Sequence, residues 1–176
     1  MKILVTGAAG FIGSKLMFEL AKRGDDVTGL DCINDYYDTR LKYGRLKACG
    51  FDPESVKEDG KMVRNNMYDN CKFIRLSLSD KQALDLLFEA ERFEKVMNLA
   101  AQAGVRYSIT NPYAYLESNL VGFLNVLEAC RNYGVKHLVY ASSSSVYGLN
   151  DEVPYKETAN VDSPVSLYAA TKKSNE

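Results

Sequence analysis

Lys2-Ile3-Leu4-Val5-Thr6-Gly7-Ala8-Ala9-Gly10-Phe11-Ile12-Gly13 decides the fold. A short apolar run passes directly into a G-x-x-G-x-x-G loop, after which Phe11, Ile12, Leu16, Leu20 and Ala21 recur as one face of a helix that ends near Gly24. Strand, glycine turn and helix in that order open a βαβ unit. Gly7 suits the tight turn off the strand, Gly10 lets the backbone approach a ligand with no Cβ in the way, and Gly13 lets the helix pack close to the sheet. The helix N-terminus then offers unpaired N–H groups and the positive end of its dipole to phosphates.

Working outward, further β-branched or apolar runs occur at Asp26 to Asp31, Lys72 to Leu76, Lys95 to Leu99 and Lys136 to Ser142. Helical faces lie between them, at Ala83, Leu84, Leu87 and Phe88 and at Leu116, Leu120, Phe123, Leu124 and Leu127. Alternating strands and helices imply parallel pairing through right-handed crossovers, hence an α/β fold with a Rossmann-like doubly wound parallel sheet. The stretch 33–70 breaks the rhythm: it is polar, carries Gly50, Pro53 and Gly60, and contains Lys57-Glu58-Asp59. It reads as an insertion with a helix around Arg40 to Lys47, followed by a mobile loop.

A chain of 176 residues, 46% hydrophobic and 26% charged, has ordinary globular composition, which excludes disorder, collagen and coiled coil. Its formal net charge of −1 provides no basic field for nucleic acid or an anionic bilayer. Cys32, Cys49, Cys71 and Cys130 match no zinc or redox spacing and read as reduced thiols. No metal site is expected, and His137, the only histidine, has no partner for acid–base work in the sequence. No apolar run approaches the roughly 18 residues of a membrane span, and no leader precedes the first strand, so the expected location is the cytoplasm.

Two constellations carry chemistry. Asp31 closes the second apolar run 18 residues after Gly13, near the spacing of a carboxylate that accepts from an adenosine ribose. An acid there repels a 2′-phosphate and no arginine follows it, so NAD(H) is favoured over NADP(H). Tyr168 and Lys172 are spaced i, i+4 and share a helix face, where an ammonium and a cationic nicotinamide favour the phenolate of a base. Upstream, Ser142-Ser143-Ser144-Ser145 follows the fifth apolar run, at the sheet end where such folds bind ligands.

Together these motifs resemble the extended short-chain dehydrogenase/reductases, and most closely the UDP-glucuronate 4-epimerases. Beside the glycine loop, the resemblance rests on Asn34-Asp35-Tyr36-Tyr37-Asp38, on Ala101-Gln102-Ala103-Gly104-Val105-Arg106-Tyr107-Ser108 and on Pro164-Val165-Ser166-Leu167-Tyr168-Ala169-Ala170-Thr171-Lys172-Lys173. It implies NAD-dependent epimerisation at C4 of a UDP-sugar through a 4-keto intermediate. It assigns Ser143, Tyr168 and Lys172 to catalysis, with Ser143 and Arg106 as substrate contacts. The implied cofactor contacts are Gly7, Gly10, Phe11, Ile12, Gly13, Asp31, Asn34, Ser77, Leu78, Leu99, Ala100, Ala101 and Asn119, together with Tyr168 and Lys172.

Three positions depart from the family pattern: Ser77 stands where an Asp is usual, Cys32 where Asn is commoner, and Asn98 where His is usual. A nucleotide-sugar dehydratase is the rival enzyme. It needs an Asp-Glu pair directly after the catalytic hydroxyl residue, and Ser144 and Ser145 occupy those positions. Epimerases of other UDP-sugars stay open, and a non-catalytic NAD-binding module is the alternative outside enzymes. The resemblance also implies an incomplete nucleotide-binding domain over 1–176, a substrate domain beyond it, little activity from this portion alone, and a homodimer through helices at 112–133 and from 166 onward.

Overall fold

A computed structural model describes residues 1–176 and contains one six-stranded sheet. Its strands are β1 (Lys2–Thr6), β2 (Asp26–Asp31), β3 (Met62–Arg64), β4 (Cys71–Arg75), β5 (Lys95–Asn98) and β6 (His137–Tyr140). They lie in the order β3-β4-β2-β1-β5-β6, with every neighbouring pair parallel except β3 against β4. The chain runs outward from β1 to β2 and β4, then returns to pair β5 on the other side of β1. The order therefore reverses at β1, which opens a crevice beyond the carboxyl ends of the central strands.

The helices are α1 (Phe11–Lys22), α2 (Thr39–Ala48), α3 (Lys81–Glu91), α4 (Tyr107–Thr110), α5 (Pro112–Tyr115), α6 (Gly122–Asn132) and α7 (Leu167–Asn175). Because side chains alternate across a strand, β1 contributes to two apolar layers. Ile3 and Val5 join Met17, Leu20 and Phe73 on one face, while Leu4 joins Leu84, Phe88, Val96 and Val126 on the other. Side-chain carboxylates cap α2 and α3, through Asp38 on Arg40 N and Asp80 on Ala83 N. No helix is long and apolar enough to cross a membrane.

Several expectations need correction. Phe11 and Ile12 do not face the core: they are 81% and 67% exposed, and the buried face of α1 is formed by Gly13, Ser14, Met17, Leu20 and Ala21. The reason is contact at the glycine loop, since a Cβ on Gly13 would lie 2.1 Å from the Gly7 carbonyl oxygen, so the turn carrying Gly13 must face the sheet. Leu116, Leu124 and Leu127 likewise point outward, and α6 packs inward through Gly122, Phe123, Asn125, Val126 and Ala129. The stretch expected to follow α2 as a mobile loop instead holds a short 3-10 turn at Ser55–Lys57 and β3, which adds antiparallel to β4 and closes that edge of the sheet. The last strand stops at Tyr140 rather than Ser142. The helix expected over 112–133 is present as an unbroken helical run from Pro112 to Asn132, but it widens into a π-turn over Leu116–Val121 that joins α5 to α6.

Candidate cofactor and active site

The carboxyl ends of β1, β2, β4 and β5 surround a cleft of about 160 Å³ that opens to solvent. Gly7, Gly10, Asp31, Asn34, Ser77, Leu78, Leu99, Ala100 and Ala101 line it, so the structure brings together most of the residues the sequence assigned to a cofactor. The floor is set by a buried hydroxyl relay. Thr6 Oγ1 donates to Asn98 Oδ1 at 2.6 Å and accepts from Ala100 N at 3.1 Å, which fastens the segment after β5 to the end of β1. Asn98 thus performs a packing and hydrogen-bonding task that needs only an acceptor. Gly7, at φ +68°, passes so close to this segment that a Cβ would lie 2.9 Å from Ala100 N.

At the mouth of the cleft α1 begins at Phe11, and its N-cap Gly10 supplies no side-chain hydrogen bond. The first-turn N–H groups of Phe11, Ile12 and Gly13 have no partner within the helix and suit a diphosphate. The carboxylate of Asp31, 6% exposed, accepts from Ala9 N at 3.1 Å and Ile33 N at 2.7 Å. Lys42 Nζ, from α2, lies 3.4 Å from Asp31 Oδ1 and donates to Asn34 Oδ1 at 2.9 Å. Sequence reasoning missed Lys42: α2 carries four basic residues in ten, and a lysine in such a helix reads as solvated. The glycine turn, the helix N-terminus and the buried acid fit an adenine dinucleotide. Ser77 also lines the cleft, its hydroxyl 2.8 Å from that of Ser79, which donates to Glu117.

The catalytic candidates sit on two elements that follow β6. Ser143 caps the 3-10 turn Ser144–Tyr147, where its hydroxyl accepts from Ser145 N at 3.2 Å and donates to Ser145 Oγ at 3.1 Å. Ser166 caps α7 by accepting from Ala169 N at 3.0 Å, and α7 carries Tyr168 and Lys172. Lys172 is 4% exposed, its Nζ donates to the Ala141 carbonyl at 2.7 Å, and burial pushes its pKa below the usual lysine value. That bond ties α7 to the segment leading into Ser143. The Tyr168 ring meets Tyr115 edge-on at 6.0 Å.

Asn119 connects these elements to the cleft. It lies in the π-turn and is 1% exposed; its Oδ1 accepts from Gln102 N at 2.7 Å, and its Nδ2 donates to Gln102 O and to Thr171 Oγ1, each at 3.1 Å. Its side chain is therefore committed to the protein, with Gln102 in the cleft wall on one side and Thr171 of α7 on the other. Tyr115, fully buried, was also missed from sequence; its hydroxyl donates to the carbonyls of Ala103 and Gly104. Arg106 is exposed at the start of α4 and is not among the residues lining the cleft.

Comparison with known proteins gives a consistent result. Residues 4–176 match the family described as GDP-mannose 4,6 dehydratase. The chain is 50% identical over 176 residues to Protein CapI of Staphylococcus aureus, covering 100% of this chain and 48% of that protein. It is 45% identical to UDP-glucuronate 4-epimerase 2 of Arabidopsis thaliana, covering 100% of this chain and 37% of that protein. The chain thus spans about half or less of the length of these curated relatives. Among solved structures, UDP-glucuronic acid 4-epimerase from Bacillus cereus in complex with UDP-glucuronic acid and NAD superposes with a TM-score of 0.80 at 30% identity, covering 99% of this chain and 50% of that one.

Proposed function

The chain belongs to the GDP-mannose 4,6 dehydratase family, and within it we propose that residues 1–176 carry the cofactor site and catalytic side chains of an NAD-dependent UDP-sugar 4-epimerase acting on UDP-glucuronate. The observation that carries this reading is the placement of α7: Asn119 ties Thr171 to Gln102, and Lys172 ties the same helix to Ala141 just before Ser143. The tyrosine–lysine helix is thereby docked against the wall of the dinucleotide cleft. Similarity to UDP-glucuronate 4-epimerases at 45% identity supports the choice of sugar.

When bound, NAD supplies the hydride acceptor and donor that interconverts the C4 epimers through a 4-keto sugar. The residues of this chain do the rest. The N–H groups at the start of α1 hold the diphosphate, and the Asp31 carboxylate accepts from the adenosine ribose. Tyr168 takes the proton of the sugar 4-hydroxyl and later returns it. Lys172, buried with its Nζ on the Ala141 carbonyl, holds the helix that carries Tyr168 against the segment leading into Ser143. Ser143 shares a hydrogen bond with the reacting oxygen, and Arg106, free of the cleft, is available to an anionic part of the substrate. Two copies pair through the helices at 112–133 and from 166 onward.

The test is incubation with UDP-glucuronate and NAD, followed by chromatographic separation of the epimers. Appearance of UDP-galacturonate is expected from the enzyme carrying its sugar-binding part. Conversion of UDP-glucose but not UDP-glucuronate would reassign the substrate, and formation of a 6-deoxy-4-keto sugar from UDP-glucose would favour a dehydratase.

A further inference from the structure

Resting on the assignment of the cleft to an adenine dinucleotide, we propose that Lys42 sets how strictly this site distinguishes NAD(H) from NADP(H). Discrimination at such a site comes from the acid that closes β2, because a bare carboxylate repels a 2′-phosphate. Asp31 is not bare. Its side chain and that of Lys42 are 7% and 10% exposed and form an ion pair at 3.4 Å. Charged groups are costly to bury and persist where they are paired. The ammonium also donates to Asn34, so it is anchored at the cleft wall by two acceptors.

The carboxylate is thus met from three segments of the chain: by Ala9 of the glycine loop, by Ile33 of its own turn, and by Lys42 of the insertion. Ile33 adopts φ 50°, a left-handed conformation unfavourable for a β-branched residue, and its N–H bonds back to Asp31. Strain held beside a ligand cleft is evidence that the surrounding contacts over-determine that geometry. A group placed at the ribose 2′ position then faces an ion pair of no net charge instead of an isolated anion. The ribose hydroxyl still finds its acceptor, while a 2′-phosphate loses much of the repulsion. NAD(H) remains the better ligand, by a margin that Lys42 narrows.

Titration calorimetry of the wild-type protein and variants with NAD and with NADP tests this. Lys42→Met is expected to raise the ratio of the NADP Kd to the NAD Kd about tenfold, whereas Lys42→Arg keeps it within about threefold. Asp31→Asn, which leaves the ammonium without its counter-charge, is expected to lower the ratio below the wild-type value and serves if the methionine variant fails to fold. A ratio unmoved by Lys42→Met while NAD still binds, or unmoved by Asp31→Asn, overturns the inference. Absence of binding of either dinucleotide to the wild-type protein instead overturns the cofactor assignment on which it rests.

Discussion

A single atom decides much at the residue scale. Tyr168 and Lys172 were legible in the sequence because i, i+4 spacing survives in any helix; that Lys172 reaches the Ala141 carbonyl was not, because that oxygen lies 31 residues away. On the proposed mechanism, Tyr168→Phe lowers kcat for epimerisation at least about a hundredfold, while NAD affinity measured by calorimetry changes by less than about threefold. Equal loss in both would assign the phenol to cofactor binding instead. Cys71 gives a pH prediction. Burial raises its thiol from 9.0 to about 12. The native state keeps this proton where the unfolded chain releases it, so the contribution is complete below 9.0 and is lost as pH rises towards about 12. Urea midpoints are expected to fall between about pH 8 and about pH 10.5, and to fall less steeply in Cys71→Ala.

The decisive element is the π-turn over Leu116–Val121. One extra residue per turn re-aims Asn119 so that it spans from Gln102 to Thr171, and such insertions are frequent at functional sites. Nothing in the apolar periodicity announces it, because the pattern on either side continues to read as helix. Replacing Asn119 by Ala leaves the Gln102 N–H and carbonyl without their partner and removes the donor to Thr171 Oγ1, which keeps its own bond to the Tyr168 carbonyl. The expected loss is about 2 kcal/mol of stability, together with faster amide exchange in α7 than in α3. Unchanged exchange in α7 would show that its docking does not depend on this side chain. The glycine loop is the opposite case: strand, turn and helix lie together in sequence, so its geometry was readable directly. Even so, the exposure of Phe11 and Ile12 escaped notice, because helical spacing identifies a face without saying which of two overlapping stripes the sheet covers.

For the whole molecule, the doubly wound parallel sheet and five of its strands are legible in the sequence, while the strand order and β3 are not. That strand has three residues, which is too short for a period-two pattern to stand out. The outward stripe of the π-turn and α6 includes Leu116, Val121, Leu124 and Leu127, all exposed. A contiguous apolar stripe on a monomer is costly to hydrate, which supports the proposed pairing of two copies. Sedimentation equilibrium is expected to show a dimer for the wild type and a monomer for Leu124→Glu, whose introduced charge cannot be buried without a partner. Two monomeric profiles would dismiss this face as an interface.

What the sequence determined by itself is the alternating architecture, the glycine loop with its helix, the acid that ends β2, and the tyrosine–lysine pair. Each is a matter of neighbours along the chain, where backbone periodicity and steric rules act over a few residues. Only the tertiary structure decided that Lys42 neutralises Asp31, that Asn119 is committed to Gln102 and Thr171, and that Arg106 stands apart from the cleft. Those contacts join segments 11 to 52 residues apart, or depend on which face the sheet covers, and their energies come from burial, which no local pattern encodes.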